Sequence, residues 1–160
     1  MEPDSRFQQG AILYFDPFIF PDGGTPKPKY FLVLKRMDDT LLLASLPTSK
    51  DHIPEYIEKR HGCIERPDIS FNCYYFDPSV VICGNGFSFP IETYVYGYRL
   101  QTFNLKDLLL QELINETRIG VCGILTEDEY QAIIKCLINS PEVKRSYRKQ
   151  LAGECKRLPQ

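Results

Sequence analysis

The chain has 160 residues, of which 43% are hydrophobic and 25% are charged, with a formal net charge of −2 at pH 7. This length and composition suffice for one domain with a substantial core, and they argue against disorder. Residues 1–6 include two acids and no apolar run, and no stretch approaches about 18 apolar residues. The sequence therefore predicts neither an export signal nor a membrane span, and it favours a cytoplasmic location.

Charge is distributed unevenly along the chain. Residues 141–160 hold six cations and two acids, so the other 140 residues carry a net charge of −6. An acidic body does not support broad, non-specific nucleic-acid binding, but it leaves room for a local basic groove. The basic C-terminal segment is either a solvated helix face or a contact surface for RNA or an acidic partner.

The six cysteines are predicted to be reduced, because the sequence shows no export signal and its core is large enough without disulfides. A zinc site is one alternative, with these candidate ligands: His52, His61, Cys63, Cys73 and Cys83. Their spacing lacks the Cys-x-x-Cys knuckle of structural zinc sites, so no metal is assigned. A thiol–imidazole pair of His61 and Cys63 is a further alternative.

Strand patterns dominate the first two thirds of the chain. Apolar alternation bounded by turn residues predicts strands over 11–15, 30–35, 40–46, 71–76, 80–83 and 93–103. A tight turn at Asp38 and Asp39 joins the second strand to the third. After the third strand, Asp51 as a cap and Gly62 as a terminator predict a short inserted helix over 49–60.

From Asn104 onward the apolar period changes to that of helices. Asn104 is expected to cap a helix that runs to about Glu116, and Thr126 with Glu129 forms a capping box for the next helix. A last helix is expected over 140–152, because a Ser-Pro-Glu start precedes an apolar stripe.

Short strands followed by helices predict an α+β fold, in which C-terminal helices pack against a small, barrel-like antiparallel sheet. Residues 1–139 are expected to form the barrel domain, and residues 140–160 a basic helix and tail.

Four polar residues flank the second and third predicted strands. Lys27 and Lys29 stand just before the second strand, and Thr48 and Ser49 follow the third. Antiparallel pairing through the short turn brings these two strand ends together. The sequence therefore predicts a phosphate-sized site built from residues about 20 positions apart.

The order of these elements resembles the PemK/MazF-like plasmid-maintenance toxin family. Members begin with Gly-x-Ile, a glycine-containing loop, an Arg-Pro-Val-Leu-Val segment and a strand that ends near a Thr. The corresponding pieces here are Gly10-Ala-Ile12, Asp22-Gly-Gly24, Lys29-Tyr-Phe-Leu-Val-Leu34 and Leu46-Pro-Thr-Ser49.

The resemblance implies an SH3-like barrel that acts on single-stranded RNA as a metal-independent endoribonuclease, in a homodimer regulated by an antitoxin protein. The family's catalytic Arg and Thr fall on Lys29 and Thr48. Lys29 would stabilise the phosphate or protonate the leaving oxygen, and Thr48 would position the phosphate by a hydrogen bond. The expected substrate-binding residues are Lys27, Ser49, Lys35, Arg36 and Phe20.

A non-catalytic barrel module that binds protein or nucleic acid is the alternative. Lys29 stands where the family has Arg, and a lysine lacks the guanidinium fork that clamps a phosphate with two hydrogen bonds. Without the resemblance, Lys27 and Lys29 are adequately explained as a solvated edge that prevents strand association. No phosphate-binding loop or dinucleotide fingerprint is present, so no cofactor is expected.

Overall fold

The computed structural model describes residues 4–47 and 56–156. Its strands are β1 (Ala11–Phe18), β2 (Lys27–Met37), β3 (Thr40–Leu46), β4 (Gly62–Arg66), β5 (Phe71–Phe76), β6 (Thr93–Val95), β7 (Leu100–Asn104) and β8 (Arg118–Ile124). Its α-helices are α1 (Leu105–Ile114), α2 (Glu127–Ile138) and α3 (Arg145–Ala152).

The strands form two antiparallel sheets, which confirms the predicted α+β class. The larger sheet has the order β7-β3-β2-β1-β8, and the smaller sheet has the order β4-β5-β6. Within the described residues, β7 and β8 lie at the two edges of the larger sheet, and its ladder does not close on itself. Barrel closure therefore stays a prediction. No helix in the described segments is long and apolar enough to cross a bilayer.

The larger sheet is buried on both faces, and β2 lies at its centre. Leu32 and Leu34 belong to a core shared with α2 and α3, whereas Phe31 and Val33 belong to a second core shared with α1. Successive side chains of a strand point to opposite faces. A strand that is covered on both sides therefore has the uninterrupted apolar run seen in this sequence.

The predicted strand over 93–103 is wrong as a single element. A 3₁₀ turn at Gly97–Arg99 divides it into β6, in the smaller sheet, and β7, in the larger sheet. A Cβ atom on Gly97 would lie 2.7 Å from Cγ2 of Val143 and 3.1 Å from Oγ of Ser140. Glycine is needed here because the turn packs directly against the segment before α3.

The two predicted caps are present. The Asn104 side chain accepts a hydrogen bond from the Lys106 amide, and the Thr126 side chain accepts one from the Glu129 amide. The last helix begins at Arg145 instead of residue 140, because Ser140 is fully buried and its hydroxyl accepts a hydrogen bond from the Glu142 amide in a turn.

Several other local predictions differ from the structure. β4 and β8 were not predicted, since β4 is rich in charge and β8 contains two glycines. Residues 80–83 form only one isolated bridge, between Cys83 and Leu125. The inserted helix over 49–60 falls partly outside the described residues, and its described part, 56–60, contains a turn and irregular chain.

The prediction that all six cysteines are reduced is wrong for two of them. Cys63 and Cys136 form a disulfide between β4 and α2, with a Cα–Cα distance of 5.6 Å and a sequence separation of 73. The two partners are remote in sequence, so their spacing gave no sign of the pairing. Closing so long a loop constrains the unfolded chain and stabilises the fold by about 4 kcal/mol.

Substituting Gly97 tests the close packing that separates the two sheets. Gly97→Ala is expected to lower the free energy of unfolding by about 1–3 kcal/mol, because its methyl group overlaps Val143 and Ser140. Gly84→Ala is the matched control, since a Cβ at Gly84 would meet no atom within 4 Å. Urea denaturation of both variants measures the difference, and equal losses would contradict this packing.

Candidate nucleic-acid interface

The strand pairing that underlies the predicted site is present. In the β2–β3 ladder, Tyr30 lies opposite Leu46, so the start of β2 and the end of β3 are neighbours. Lys29 immediately precedes Tyr30 and lies opposite Phe15 in the β1–β2 ladder. Thr48 and Ser49 lie outside the described residues, so their roles stay predictions.

Lys29 is the centre of a cationic cluster. Its side chain is half-buried, and this burial lowers the pKa of its ammonium group below the ordinary value, with further lowering by the nearby charges of Lys27 and Arg99. Both charges that shift this pKa are positive, so positive charge is concentrated around Lys29. A group of this kind is stabilised when an anion binds.

Two aromatic rings flank the cluster. The ammonium of Lys27 lies 5.8 Å from the centroid of the Phe20 ring, and the guanidinium of Arg99 lies 5.5 Å from the centroid of Tyr98. These are cation–π distances, which pair each charge with an aromatic surface. Cations interleaved with aromatic side chains are typical of surfaces that bind single-stranded nucleic acid.

Tyr98 is held outward by a short ladder of tyrosines. Its ring stacks on Tyr96 at a centroid distance of 5.5 Å, and Tyr96 stacks on Tyr94 at 5.8 Å. Tyr94 and Tyr96 are buried, whereas Tyr98 is 57% exposed. The buried rings therefore fix an exposed aromatic face beside Arg99, where a base could stack.

Arg99 was missed by the sequence-based prediction. It lies in the 3₁₀ turn between β6 and β7, and its Nε is buried without a hydrogen-bond partner among the described residues. The sequence placed Arg99 in a continuous strand, about 70 positions from Lys29. Only the folding of the two sheets brings the two cations together, so no local pattern could have identified it.

Two of the predicted substrate-binding residues lie elsewhere. Lys35 is paired with Glu154 at 3.4 Å, and its ammonium donates to the Gln150 carbonyl at 3.0 Å. Arg36 donates to the Asp4 carbonyl at 2.8 Å. Lys35 is six positions further along β2 than Lys29, a distance of about 20 Å. The structure thus brings Phe20, Lys27 and Lys29 to one end of the sheet and does not bring Lys35 and Arg36 there.

A second polar cluster joins the smaller sheet to α2. The Glu129 carboxylate accepts hydrogen bonds from the Tyr74 hydroxyl at 2.7 Å and from Nε2 of His61 at 2.6 Å. Nδ1 of His61 accepts a hydrogen bond from the Asp77 amide at 3.1 Å, so both ring nitrogens are engaged. Desolvation and the neighbouring carboxylate raise the pKa of Tyr74. These hydrogen bonds join Tyr74 of the smaller sheet and the adjacent His61 to α2.

The sequence also suggests a zinc site and a thiol–imidazole pair as alternatives. Within residues 4–47 and 56–156, no three His, Cys, Asp or Glu side chains converge as metal ligands, and His52 lies outside these ranges. Cys63 is part of the disulfide, so it cannot form a thiol–imidazole pair with His61. Comparison with known proteins gives no match: no family model fits the chain, and no curated protein or solved structure is detectably similar.

The lowered pKa of Lys29 predicts a measurable pH dependence of stability. The folded protein releases this proton at a lower pH than the unfolded chain, whose lysine keeps its ordinary pKa of 10.5. Between those two pKa values the unfolded state binds more protons, so this group raises the free energy of unfolding as pH rises.

Lys29→Met removes the contribution of this ammonium group to the pH dependence of the free energy of unfolding. The variant is expected to be more stable than the wild type at neutral pH, with a difference that shrinks as pH rises towards 10.5. Lys106→Met, at an exposed position in α1, is the control. Chemical denaturation between neutral and alkaline pH measures both differences. A Lys29→Met difference that stays constant with pH would contradict the assigned burial of this charge.

Proposed function

We propose that this protein binds single-stranded RNA at the cationic cluster and cleaves it without a metal, as a diverged PemK/MazF-like toxin. The observation that carries the proposal is the half-buried Lys29, with its lowered pKa, next to Lys27 and Arg99 and flanked by Phe20 and Tyr98. The proposal includes an SH3-like arrangement of the larger sheet and a cytoplasmic location, where such RNA is found.

Cleavage of this kind begins when the ribose 2′-oxygen, whose proton passes to solvent, attacks the adjacent phosphorus and the P–O5′ bond breaks. The protein must hold the nucleotide in line, stabilise charge on the phosphate oxygens and protonate the leaving 5′-oxygen. Lys29 suits the last role, because a lysine with a lowered pKa is a stronger acid than an ordinary lysine. The products would carry a 2′,3′-cyclic phosphate and a 5′-hydroxyl.

Arg99 supplies the planar donor group that Lys29 lacks. A guanidinium can donate two parallel hydrogen bonds to phosphate oxygens, and the two terminal Nη groups of Arg99 are proposed to do so, since its Nε is buried. Lys27 adds a second charge for the neighbouring phosphate, and Thr48 is proposed to donate a hydrogen bond to the reacting one. Phe20 and Tyr98 are proposed to stack on the flanking bases.

The positive charge of the cationic cluster also suggests what kind of protein partner would bind there. An antitoxin would cover the cluster with an acidic segment, because positive charge attracts carboxylates as well as phosphates. A homodimer is part of the proposal and rests on the resemblance to the toxin family.

Binding without cleavage is the second candidate function. Among the described residues, the charges that shift the pKa of Lys29 belong to two cations, Lys27 and Arg99, and neither can accept the 2′-hydroxyl proton. His61, the one histidine in those residues, is engaged by Glu129 and Asp77. These facts favour a module that holds RNA and presents it to another protein.

A cleavage assay separates the two candidates. The wild type is expected to cut unstructured RNA in EDTA, and Lys29→Ala is expected to reduce the rate by on the order of 10²–10³, since it removes the acid and a phosphate contact. Lys106→Ala is the control, and Lys29→Ala/Thr48→Ala extends the test to the predicted partner. Binding without fragments that end in a 2′,3′-cyclic phosphate would leave only the non-catalytic function.

Stacking on Tyr98 is tested by binding rather than by cleavage. Tyr98→Ala is expected to weaken binding of a short single-stranded RNA by about 1–3 kcal/mol, because a base loses its aromatic platform. Tyr56→Ala is the matched control, since Tyr56 is also an exposed tyrosine, at 69%. Fluorescence anisotropy with a labelled oligonucleotide gives both affinities. Equal affinities for the two variants would exclude Tyr98 from the interface.

A further inference from the structure

We propose that the Cys63–Cys136 disulfide is redox-active, and that a small thiol opens it by attacking the Sγ atom of Cys63. The two cysteines differ in their access to solvent. Cys63 is exposed on β4, whereas Cys136 on α2 is 3% exposed. Exposed disulfides are the ones that small thiols reach and reduce, and attack occurs at the accessible sulfur.

A cavity lies beside Glu65 and Asn72, two residues whose side chains approach the disulfide. It has a volume of about 200 Å³ and is lined by Glu65, Arg66, Phe71, Asn72 and Asn139 with their neighbours. Oε1 of Glu65 lies 3.7 Å from Sγ of Cys63. A molecule of a few heavy atoms in this cavity would lie beside Glu65, which is two residues from Cys63 in β4 and therefore on the same face of the strand.

Asn72 links the cavity to both sulfurs. Its side chain is 5% exposed, and its Nδ2 lies 3.8 Å from Sγ of Cys63 and 4.0 Å from Sγ of Cys136. Its Oδ1 is buried without a hydrogen-bond partner among the described residues. An amide donor next to the sulfur that leaves favours bond cleavage, because it stabilises the thiolate that forms.

The residues around Cys63 and Cys136 also offer hydrogen-bond acceptors to the two thiols that form on reduction. Once reduced, the Cys63 thiol can donate to the Glu65 carboxylate, and the Cys136 thiol can donate to the Cys73 carbonyl, whose oxygen lies 3.7 Å from its sulfur. The smaller sheet stays attached to α2 through the hydrogen bonds of His61 and Tyr74 to Glu129. The fold therefore accommodates both redox states.

The reaction is a balanced exchange. The thiolate of a small thiol attacks Sγ of Cys63, a new S–S bond forms there, and Cys136 leaves as a thiolate that takes a proton from water. A second thiolate then attacks the sulfur of the bound small molecule and releases Cys63, which is also protonated from water. The disulfide gains two electrons in total, and the two small thiols are oxidised to their own disulfide.

The negative charge of Glu65, next to Cys63, is expected to make some small thiols react faster than others. Glu65 is anionic, whereas the nearby charge of Arg66 is already paired with Asp68 at 2.8 Å. An aminothiol such as cysteamine is therefore favoured over a carboxylated thiol such as 3-mercaptopropionate, whose extra negative charge Glu65 repels. At a few ångströms in water this repulsion corresponds to a rate difference of about threefold to tenfold.

The experiment compares these two thiols on the oxidised, folded protein at equal thiolate concentration. Opening is followed by alkylation of the released cysteines and mass spectrometry. Cysteamine is expected to open the disulfide faster, and Glu65→Gln is expected to remove most of the preference. Glu58→Gln is the control, because it removes one carboxylate from an exposed position that is paired with Arg60. High salt is expected to shrink the wild-type preference as well.

Two single-cysteine variants test which sulfur is attacked. Cys136→Ser leaves only the Cys63 thiol of the pair, and Cys63→Ser leaves only the Cys136 thiol. With cystamine, the Cys63 thiol is expected to form a mixed disulfide at least about tenfold faster than the Cys136 thiol, because it is the accessible sulfur. The proposal is overturned if the wild-type disulfide opens only in denaturant, if Cys136 reacts as fast as Cys63, or if Glu65→Gln behaves like Glu58→Gln.

Discussion

The pairing of β2 with β1 on one side and β3 on the other is the constraint on which the rest of the structure depends. It places an apolar strand at the centre of a sheet that is covered on both faces. A slip of one residue would turn every core side chain of β2 to the other face, so the register is strongly specified. The same register fixes the start of β2 beside the end of β3, and it thereby sets the position of Lys29.

The smaller sheet is joined to the rest of the fold through α2 and through the turn that leads to β7. It is attached to α2 by the hydrogen bonds to Glu129 and by the Cys63–Cys136 disulfide. The chain leaves this sheet through the turn at Gly97–Arg99, which packs on the segment before α3. That turn brings Arg99 and the exposed ring of Tyr98 to the neighbourhood of Lys29. The proposed interface is therefore a product of how the two sheets are joined.

The sequence predicted the features that depend on local chemistry. The bounds of β3 and β5 match their apolar and aromatic runs, and the Asn104 and Thr126 caps define where α1 and α2 begin. β2 and β3 are joined by a turn at Asp38, whose φ of 56° is one that aspartate tolerates.

The features that the sequence did not predict depend on tertiary packing. β8 contains Gly120 and Gly123, which weaken its strand pattern, and β1 supplies the pairing that makes it a strand. The disulfide and the approach of Arg99 to Lys29 join residues about 70 positions apart. Phe20, Lys27 and Lys29 could be predicted to lie together because they surround one strand end, whereas no local pattern places Arg99 beside them.

We propose that Lys27, Lys29 and Arg99 together hold phosphates of a single strand. The most direct measurement is the salt dependence of the affinity for a short, unstructured RNA. Three phosphate contacts predict a slope of log K against log salt of about −2, because each contact on a single strand contributes about −0.7. Lys29→Gln/Arg99→Gln is expected to bring the slope to about −0.7. A double variant that keeps the wild-type slope would show that the phosphates bind elsewhere, and this would contradict the account.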